Sequence, residues 1–225
     1  MPVGLRILPR PRKVGPDVVE RFARLPVANV SDSMSRLTAA GARLRPMHAG
    51  GGLAGPALTV KAPPGDNLML HKAIALAEPG DVIVVDAGGD LTNALMGEMM
   101  LMQMTRRGVA GVVVHGAIRD AGYIRAQGLP VFAAGVTHRG PYKNGPGEIN
   151  VPVAIEGMVI APGDLILGDE DGLLCVAFDD VEPVHAAAAA KYDAEQRQIA
   201  NIQAGTHDAS WVDKQLRQIG CEGLD

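Results

Sequence analysis

The sequence predicts an α/β fold built on a parallel β-α-β-α-β unit. Two unbroken apolar runs, GDVIVVDAG (80–88) and GVVVHG (111–116), end in glycine, as strands covered on both faces do. A third run, PVFAAG (130–135), has the same form. Between them lie ALMGEMMLMQMTRRG (94–108) and DAGYIRAQG (120–128), helical in composition and closed by glycine. Strands alternating with helices at this spacing require right-handed crossovers.

The flanking elements follow in order. Residues 1–14 carry Arg6, Arg10, Arg12 and Lys13 among prolines and read as an extended arm. A helix starts at Pro16, a residue suited to the first turn, with Val18, Val19, Phe22 and Leu25 as its apolar stripe. NVSDSMSRLTAAG (29–41) predicts a second helix, with Ser31 as cap and Gly41 as stop. GGGLAGPALTVKA (50–62) reads as a turn into a strand, because the lysine-serine/threonine of a phosphate loop is missing. Asp66 is placed to cap a helix that runs through Ala77.

After the central unit, THRGPYKNGPGEINVPV (137–153) reads as a long polar loop. Residues 151–178 predict short antiparallel strands joined by Gly-Asp and Asp-Gly turns, where Asp164, Asp169 and Asp171 make local hydrogen bonds. From about 180 the chain is helical, and Trp211, Leu216 and Ile219 fall on or near one face of the last helix. The expected organisation is an arm (1–14), a main domain (15–180) and a C-terminal helical extension (181–225) that serves as an oligomer contact or a lid.

Composition narrows the function. The chain has 225 residues, is 47% hydrophobic and carries a net charge of −4, with aromatics at only 3%. Nucleic-acid binders display basic stripes and stacking aromatics, so no nucleic-acid partner is expected. No apolar run reaches the length of a membrane span, and there is no signal-peptide core. Two cysteines form neither a disulfide framework nor a zinc motif, which points to a reduced, cytoplasmic setting. His71, His115 and His138 lack metalloprotease spacing, and His115 reads as a satisfied core histidine. The serine-hydrolase elbow and the dinucleotide fingerprint are both absent.

Two acids fall just beyond parallel strands: Glu98, in MGEMM, and Asp120, after GVVVHGAI. Ligands of open α/β sheets bind at the carboxyl ends of the strands, so both residues are candidates for one crevice. Two carboxylates plus water suit Mg²⁺ or Mn²⁺. Arg119 is placed to hold a carboxylate or an enolate oxygen. A helix starting near Gly97 would present the amides of Glu98, Met99 and Met100 to an anion. The same residues have plainer readings: Asp120 as a helix cap, Arg119-Asp120 as a structural pair, Glu98 as an exposed helix residue.

Beyond these patterns the chain resembles the RraA-like family, and within it the 4-hydroxy-4-methyl-2-oxoglutarate/4-carboxy-4-hydroxy-2-oxoadipate aldolases. The family pattern is Gly-acid, twenty residues, then Arg-Asp; here it is Gly97-Glu98, twenty residues, Arg119-Asp120. Supporting segments are ANVSDSM, GPALTVKAPPGDNLMLHKAI, PGDVIVVDAGG, GVAGVVVHGAIRDAGYI, LPVFAAG and PGDLILGDEDGLLCV, over about residues 26–178.

The resemblance implies a swivelling β/β/α fold, trimers or hexamers, and active sites between subunits. It implies a divalent-metal pyruvate aldolase that takes a 2-oxo acid, with oxaloacetate decarboxylation as a side activity. Carried over, Asp120 would bind the metal, Glu98 its waters, and Arg119 the keto or enolate oxygen. The amides after Gly97 would take the pyruvoyl carboxylate, and Asn67 and Lys143 would line the pocket. A metal-ordered water is the expected base. Aspartate is more familiar at the Glu98 position, and an acid from a neighbouring subunit's C-terminal region is also implied. Other RraA-like members are protein-binding regulators of ribonuclease; the intact acid, Arg and Asp favour the enzyme.

Overall fold

The computed structural model describes residues 3–224; Met1, Pro2 and Asp225, the tips of the predicted arm and extension, lie outside it. The centre of the fold is four parallel strands. These are β3 (Leu53–Lys61), β4 (Val82–Asp86), β6 (Gly111–Ile118) and β7 (Val131–Val136), adjacent in that order. The crossovers are α3 (Leu68–Leu76), α4 (Glu98–Arg106) and α5 (Ala121–Ala126). The parallel unit therefore begins one strand and one helix earlier than the 80–135 reading.

Both faces of this sheet are covered, which explains the unbroken apolar runs. Ile83, Val85, Val112 and Val114 face the helices and pack with Leu70, Ile74, Leu101, Met104 and Ile124. Val82, Val84, Val113 and Phe132 face the other way. They meet Val153 and Ile155 of β9 (Val153–Ile155), Met158 and Ile160 of β10 (Met158–Ile160), and Ile166 and Leu173 of β11 (Leu165–Gly168) and β12 (Leu173–Val176). Strand residues alternate between faces, so one valine-rich strand serves two cores. Burying each such side chain contributes about 1.5–3 kcal/mol. The result is a β/β/α stack, as the resemblance implies.

The predicted antiparallel hairpins form, β9 with β10 and β11 with β12. Asp171-Gly172 closes the second as expected, whereas Glu156-Gly157 closes the first and Gly163-Asp164 links β10 to β11. β11 also pairs antiparallel with β3, joining the second β layer to the first. Asp164 accepts from the Ala161 and Phe178 amides, and Asp169 from the Asp171 and Val27 amides, as turn aspartates do. A third core lies under α1 (Pro16–Phe22) and α2 (Val27–Ser33), where Val18, Phe22 and Val30 meet Leu165, Leu167 and Leu174.

Several elements depart from the sequence reading. The second helix starts at Val27 and ends at Ser33, so Ser31 is internal and Gly41 lies beyond a turn in which Ser35 and Arg36 have positive φ. Residues 94–96 are not helical; they form a short strand, β5 (Ala94–Met96), parallel to the end of β6. The polar loop after β7 contains β8 (Gly147–Ile149), which pairs with β3 and with β1 (Leu5–Ile7) of the arm. β2 (Arg45–Pro46) closes the other edge against β7.

Residues up to Ala188 form one compact unit and those from Ala189 a second. The second contains the end of α6 (Val181–Gln203) and all of α7 (Ser210–Gln218), on which Trp211 and Val212 are exposed, as is Ile219 just after it. No helix among the described residues is long and apolar enough to cross a membrane. Cys175 is buried and Cys221 exposed; both are free.

Candidate functional site

At the carboxyl ends of β4 and β6 the chain brings two distant segments into contact. β5 pairs alongside β6, with Ala94 opposite Ala117 and Met96 opposite Ile118, and the Arg119 N–H donates to Met96 O at 2.9 Å. Gly97 and Glu98 are thereby held against Arg119 and Asp120. The Glu98 N–H donates to Asp120 Oδ2 at 2.9 Å. Asp120 precedes α5 with φ 56° and ψ 37°, yet its side chain makes no capping bond to that helix. It caps the start of α4 instead. Left-handed backbone at a non-glycine costs roughly 1–3 kcal/mol and gathers at functional sites.

Gly97 is required for space, not for conformation. Its φ of −156° is open to any residue. A Cβ there, however, would lie 2.2 Å from Asp120 Oδ2 and 2.9 Å from Arg119 Cγ. The absent side chain is what lets the carboxylate reach the helix start. The amides of Met99 and Met100, in the first turn of a nine-residue helix, have no intrahelical acceptor. Amides so placed, with the helix dipole behind them, suit an anion. The Glu98 amide does not join them as expected, because the Asp120 carboxylate takes it.

These groups line a cavity of about 310 Å³, the size of a small-molecule site. All eight residues singled out in the sequence are on its wall: Asn67, Gly97, Glu98, Met99, Met100, Arg119, Asp120 and Lys143. Arg119 and Asp120 are both partly exposed, with Arg119 Nε 3.8 Å from Asp120 Oδ2. An exposed pair at that separation contributes little to stability, so the guanidinium is available to a ligand.

Asn67 is buried at the start of α3. Its Nδ2 donates to Leu95 O at 2.8 Å, while its Oδ1 has no hydrogen-bond partner. Asn67, rather than the expected Asp66, holds the cap position of α3 and makes no side-chain capping bond; Asp66 acts from one residue earlier. Its Oδ1 takes the Leu68 N–H at 2.9 Å, and its Oδ2 takes the amides of Asn144 and Gly145 at 2.6 and 2.9 Å. That second pair fixes the loop carrying Lys143. Asn93 Nδ2 to Gly140 O (2.5 Å) and the Ala94 N–H to Arg139 O (2.8 Å) tie the same loop to the opposite side.

The sequence reading missed His71 and Gln103, which also line the cavity. His71 lies four residues after Asn67 on a helix, a spacing that places both on one face. Burial, and then the Lys143 charge, hold its imidazole below the ordinary histidine value. His115 lies outside the cavity and is the satisfied histidine expected: Nδ1 is 3.1 Å from Asp86 Oδ1, and Nε2 3.1 Å from Glu156 Oε1. Burial pushes the Asp86 carboxyl up, but hydrogen bonds from Lys61, the Gly88 N–H and His115 outweigh it and hold Asp86 below the usual carboxylate value.

No group of three or more His, Cys, Asp or Glu that could hold a metal occurs among the described residues. A cation here would have one or two carboxylates and otherwise water. That donor set fits Mg²⁺, which keeps several waters, and does not fit zinc. The Asp120 carboxylate suits it: Oδ2 is oriented by the Glu98 amide, and Oδ1 has no hydrogen-bond partner among the described residues.

The RraA-like family model, described as Aldolase/RraA, matches residues 27–175. A protein of Halalkalibacterium halodurans, provisionally named a 4-hydroxy-4-methyl-2-oxoglutarate aldolase, is 40% identical over 82% of this chain and 88% of its own length. A Thermus thermophilus protein named 4-hydroxy-4-methyl-2-oxoglutarate aldolase is 39% identical over 48% of this chain and 66% of its own. Among solved structures, Streptomyces coelicolor RraAS2, described as an unusual member of the RNase ES inhibitor RraA family, superposes with a TM-score of 0.75. It is 28% identical, over 84% of this chain and 98% of that one. The RNA-processing inhibitor RraA of Thermus superposes with a TM-score of 0.63 at 32% identity, over 67% and 92%.

Proposed function

Because this chain belongs to the RraA-like family, we propose that it is an aldolase that cleaves a 4-hydroxy-2-oxo acid to pyruvate and a second carbonyl compound. The observation that carries this is the contact between the Glu98 amide and Asp120, which gathers an anion site, a guanidinium and two carboxylates around one cavity. Its aldolase-named relatives support the same reading.

The roles follow from the chemistry of each group. The amides of Met99 and Met100 take the substrate carboxylate. Arg119 donates to the C2 oxygen and stabilises the negative charge that develops there as the C3–C4 bond breaks. Asp120 and Glu98 would hold a divalent cation, directly and through water; when bound, it supplies Lewis-acid polarisation of the keto acid. Lys143 adds positive charge to the cavity wall and suits a second carboxylate. Oxaloacetate, whose decarboxylation gives the same enolate, is the expected side substrate. The helical unit from Ala189 exposes Trp211, Val212 and Ile219. We assign it to contact with neighbouring subunits in a trimer or hexamer.

The competing reading is a regulator that binds a ribonuclease without catalysis, supported by the likeness to the two inhibitors. The test is pyruvate release from a panel of 4-hydroxy-2-oxo acids and from oxaloacetate with Mg²⁺ present. Turnover is expected. No turnover on any of them, together with tight binding to a ribonuclease, overturns the aldolase.

A further inference from the structure

Arg119 is assigned the charge that develops on the C2 oxygen, yet no hydrogen bond holds its head. Among the described residues its guanidinium has one ionic neighbour, Asp120, with Nε 3.8 Å from Oδ2 and beyond hydrogen-bond range. An arginine head left to itself samples many rotamers, and ordering it costs side-chain entropy. Stabilising a developing charge needs the donor in place beforehand. We propose that Gly140, held by Asn93, is a positioning residue of this site: its bare backbone forms one side of a slot that fixes the Arg119 guanidinium. The inference rests on the aldolase reading.

The slot has a glycine at each end. At the stem, a Cβ on Gly97 would lie 2.9 Å from Arg119 Cγ. At the head, a Cβ on Gly140 would lie 3.3 Å from Arg119 Nη1, tighter than ordinary van der Waals contact. The Gly140 backbone is not left-handed, so conformation does not demand glycine there; space does. One short segment carries both sides of the slot. Gly97 follows β5 and Asn93 precedes it. Asn93 is buried, and its Nδ2 donates to Gly140 O at 2.5 Å. β5 itself pairs with the end of β6, the strand that leads into Arg119.

A side chain at position 140 must displace either the loop or the guanidinium. The loop is tied down. The Ala94 N–H donates to Arg139 O at 2.8 Å, the Tyr142 N–H to Gly65 O at 2.8 Å, and the Asn67 N–H to Tyr142 O at 3.0 Å. Asp66 holds the Asn144 and Gly145 amides beyond it. Arg119 Nη1, by contrast, is the free end of a flexible, partly exposed side chain. The guanidinium therefore yields, by roughly a few tenths of an ångström for alanine, and the fold loses little. A residue whose substitution shifts the chemistry and spares stability acts by positioning.

Oxalate and pyruvate separate this role from a structural one. Oxalate carries an anionic oxygen where the pyruvate enolate carries its charged C2 oxygen, whereas pyruvate presents a neutral keto oxygen there. Gly140→Ala and Gly140→Val are assayed with Mg²⁺ on oxaloacetate and on a 4-hydroxy-2-oxo acid. kcat should fall about fivefold for alanine and about 100-fold for valine, since a misplacement near 1 Å can cost that much. The factor should be the same for both substrates, which pass through one enolate. Oxalate inhibition should weaken in step, while pyruvate inhibition stays within about twofold. Asn93→Ala should shift the oxalate-to-pyruvate ratio in the same direction.

Oxalate binding by calorimetry closes a double-mutant cycle. In the Arg119→Ala protein, adding Gly140→Val should weaken oxalate no further, because the group that Gly140 positions is gone. Equal weakening with and without Arg119 would mean that the new side chain crowds the ligand itself. That result, or normal kcat and oxalate binding in Gly140→Val, overturns the positioning role and leaves the aldolase standing. A wild-type chain that turns over neither substrate and binds no oxalate overturns the aldolase, and the role of Gly140 with it.

Discussion

The Asp120 carboxylate accepts the backbone N–H of Glu98 across 2.9 Å, although 22 positions separate the two in the chain. One side chain thus sets the distance between the start of α4 and the turn that presents Arg119. Perturbing that contact should affect activity far more than stability.

Gly97→Ala tests the contact by crowding. The new methyl would lie 2.2 Å from Asp120 Oδ2, so the carboxylate must move. The cost should be about 1–3 kcal/mol, as for an overpacked site. Oxaloacetate decarboxylation should fall by about 100-fold, the loss a small misplacement of catalytic groups can cause. Urea denaturation and the decarboxylase assay measure the two effects; a variant with normal activity would show that the close approach has no catalytic role.

Asp120→Gly separates stability from chemistry. Glycine relieves the left-handed backbone at φ 56° but removes the acceptor for the Glu98 amide. The gain and the loss are each about 1 kcal/mol, so the unfolding free energy should change by no more than about that amount. Activity should disappear. Retained turnover would remove Asp120 from the site.

Metal dependence has a readout apart from turnover. EDTA should abolish pyruvate release and Mg²⁺ should restore it. Mn²⁺ binding, followed by electron paramagnetic resonance, should be seen in the wild type and lost in Asp120→Ala. Equal Mn²⁺ binding by both proteins would move the cation elsewhere.

Asp86 should make the fold acid-sensitive in a defined direction. Its folded pKa lies below the ordinary carboxylate value. Its stabilisation is therefore fully present above that ordinary value and is lost as pH falls through the lower folded value. Asp86→Asn should be less stable by about 1.5–3 kcal/mol at pH 7, the range for hydrogen bonds to a charged group. The gap between the two proteins should close in strong acid. Urea midpoints across pH measure it, and a gap that widened in acid would reverse the assignment.

How much of this was legible in the sequence varies by element. β4 and β6 announce themselves because both faces are covered, leaving no polar alternation to confuse the reading. The spacing of Gly97-Glu98 and Arg119-Asp120 carried the site, and the cavity gathers every residue it implicated. β5 stayed hidden because Ala-Leu-Met is helical in composition and becomes a strand only by pairing with the end of β6. β8 stayed hidden because three residues inside a Gly- and Pro-rich loop gain their strand identity from β1 and β3. His71 carried a signal, its one-turn spacing from Asn67, but which helix face meets the cavity is decided by tertiary packing. The use of the Glu98 amide by Asp120 depends on a left-handed backbone that nothing local in the sequence demands.

The Asp66 carboxylate, which grips the start of α3 with one oxygen and the Asn144 and Gly145 amides with the other, has a thermodynamic corollary. The Lys143 loop has given up its conformational freedom before any ligand arrives, so binding need not freeze it. The amides of Asn144 and Gly145 should resist hydrogen–deuterium exchange equally in the free and ligand-bound protein. Ligand association should then approach the pace of diffusion into a preformed cleft, without a slow closing phase.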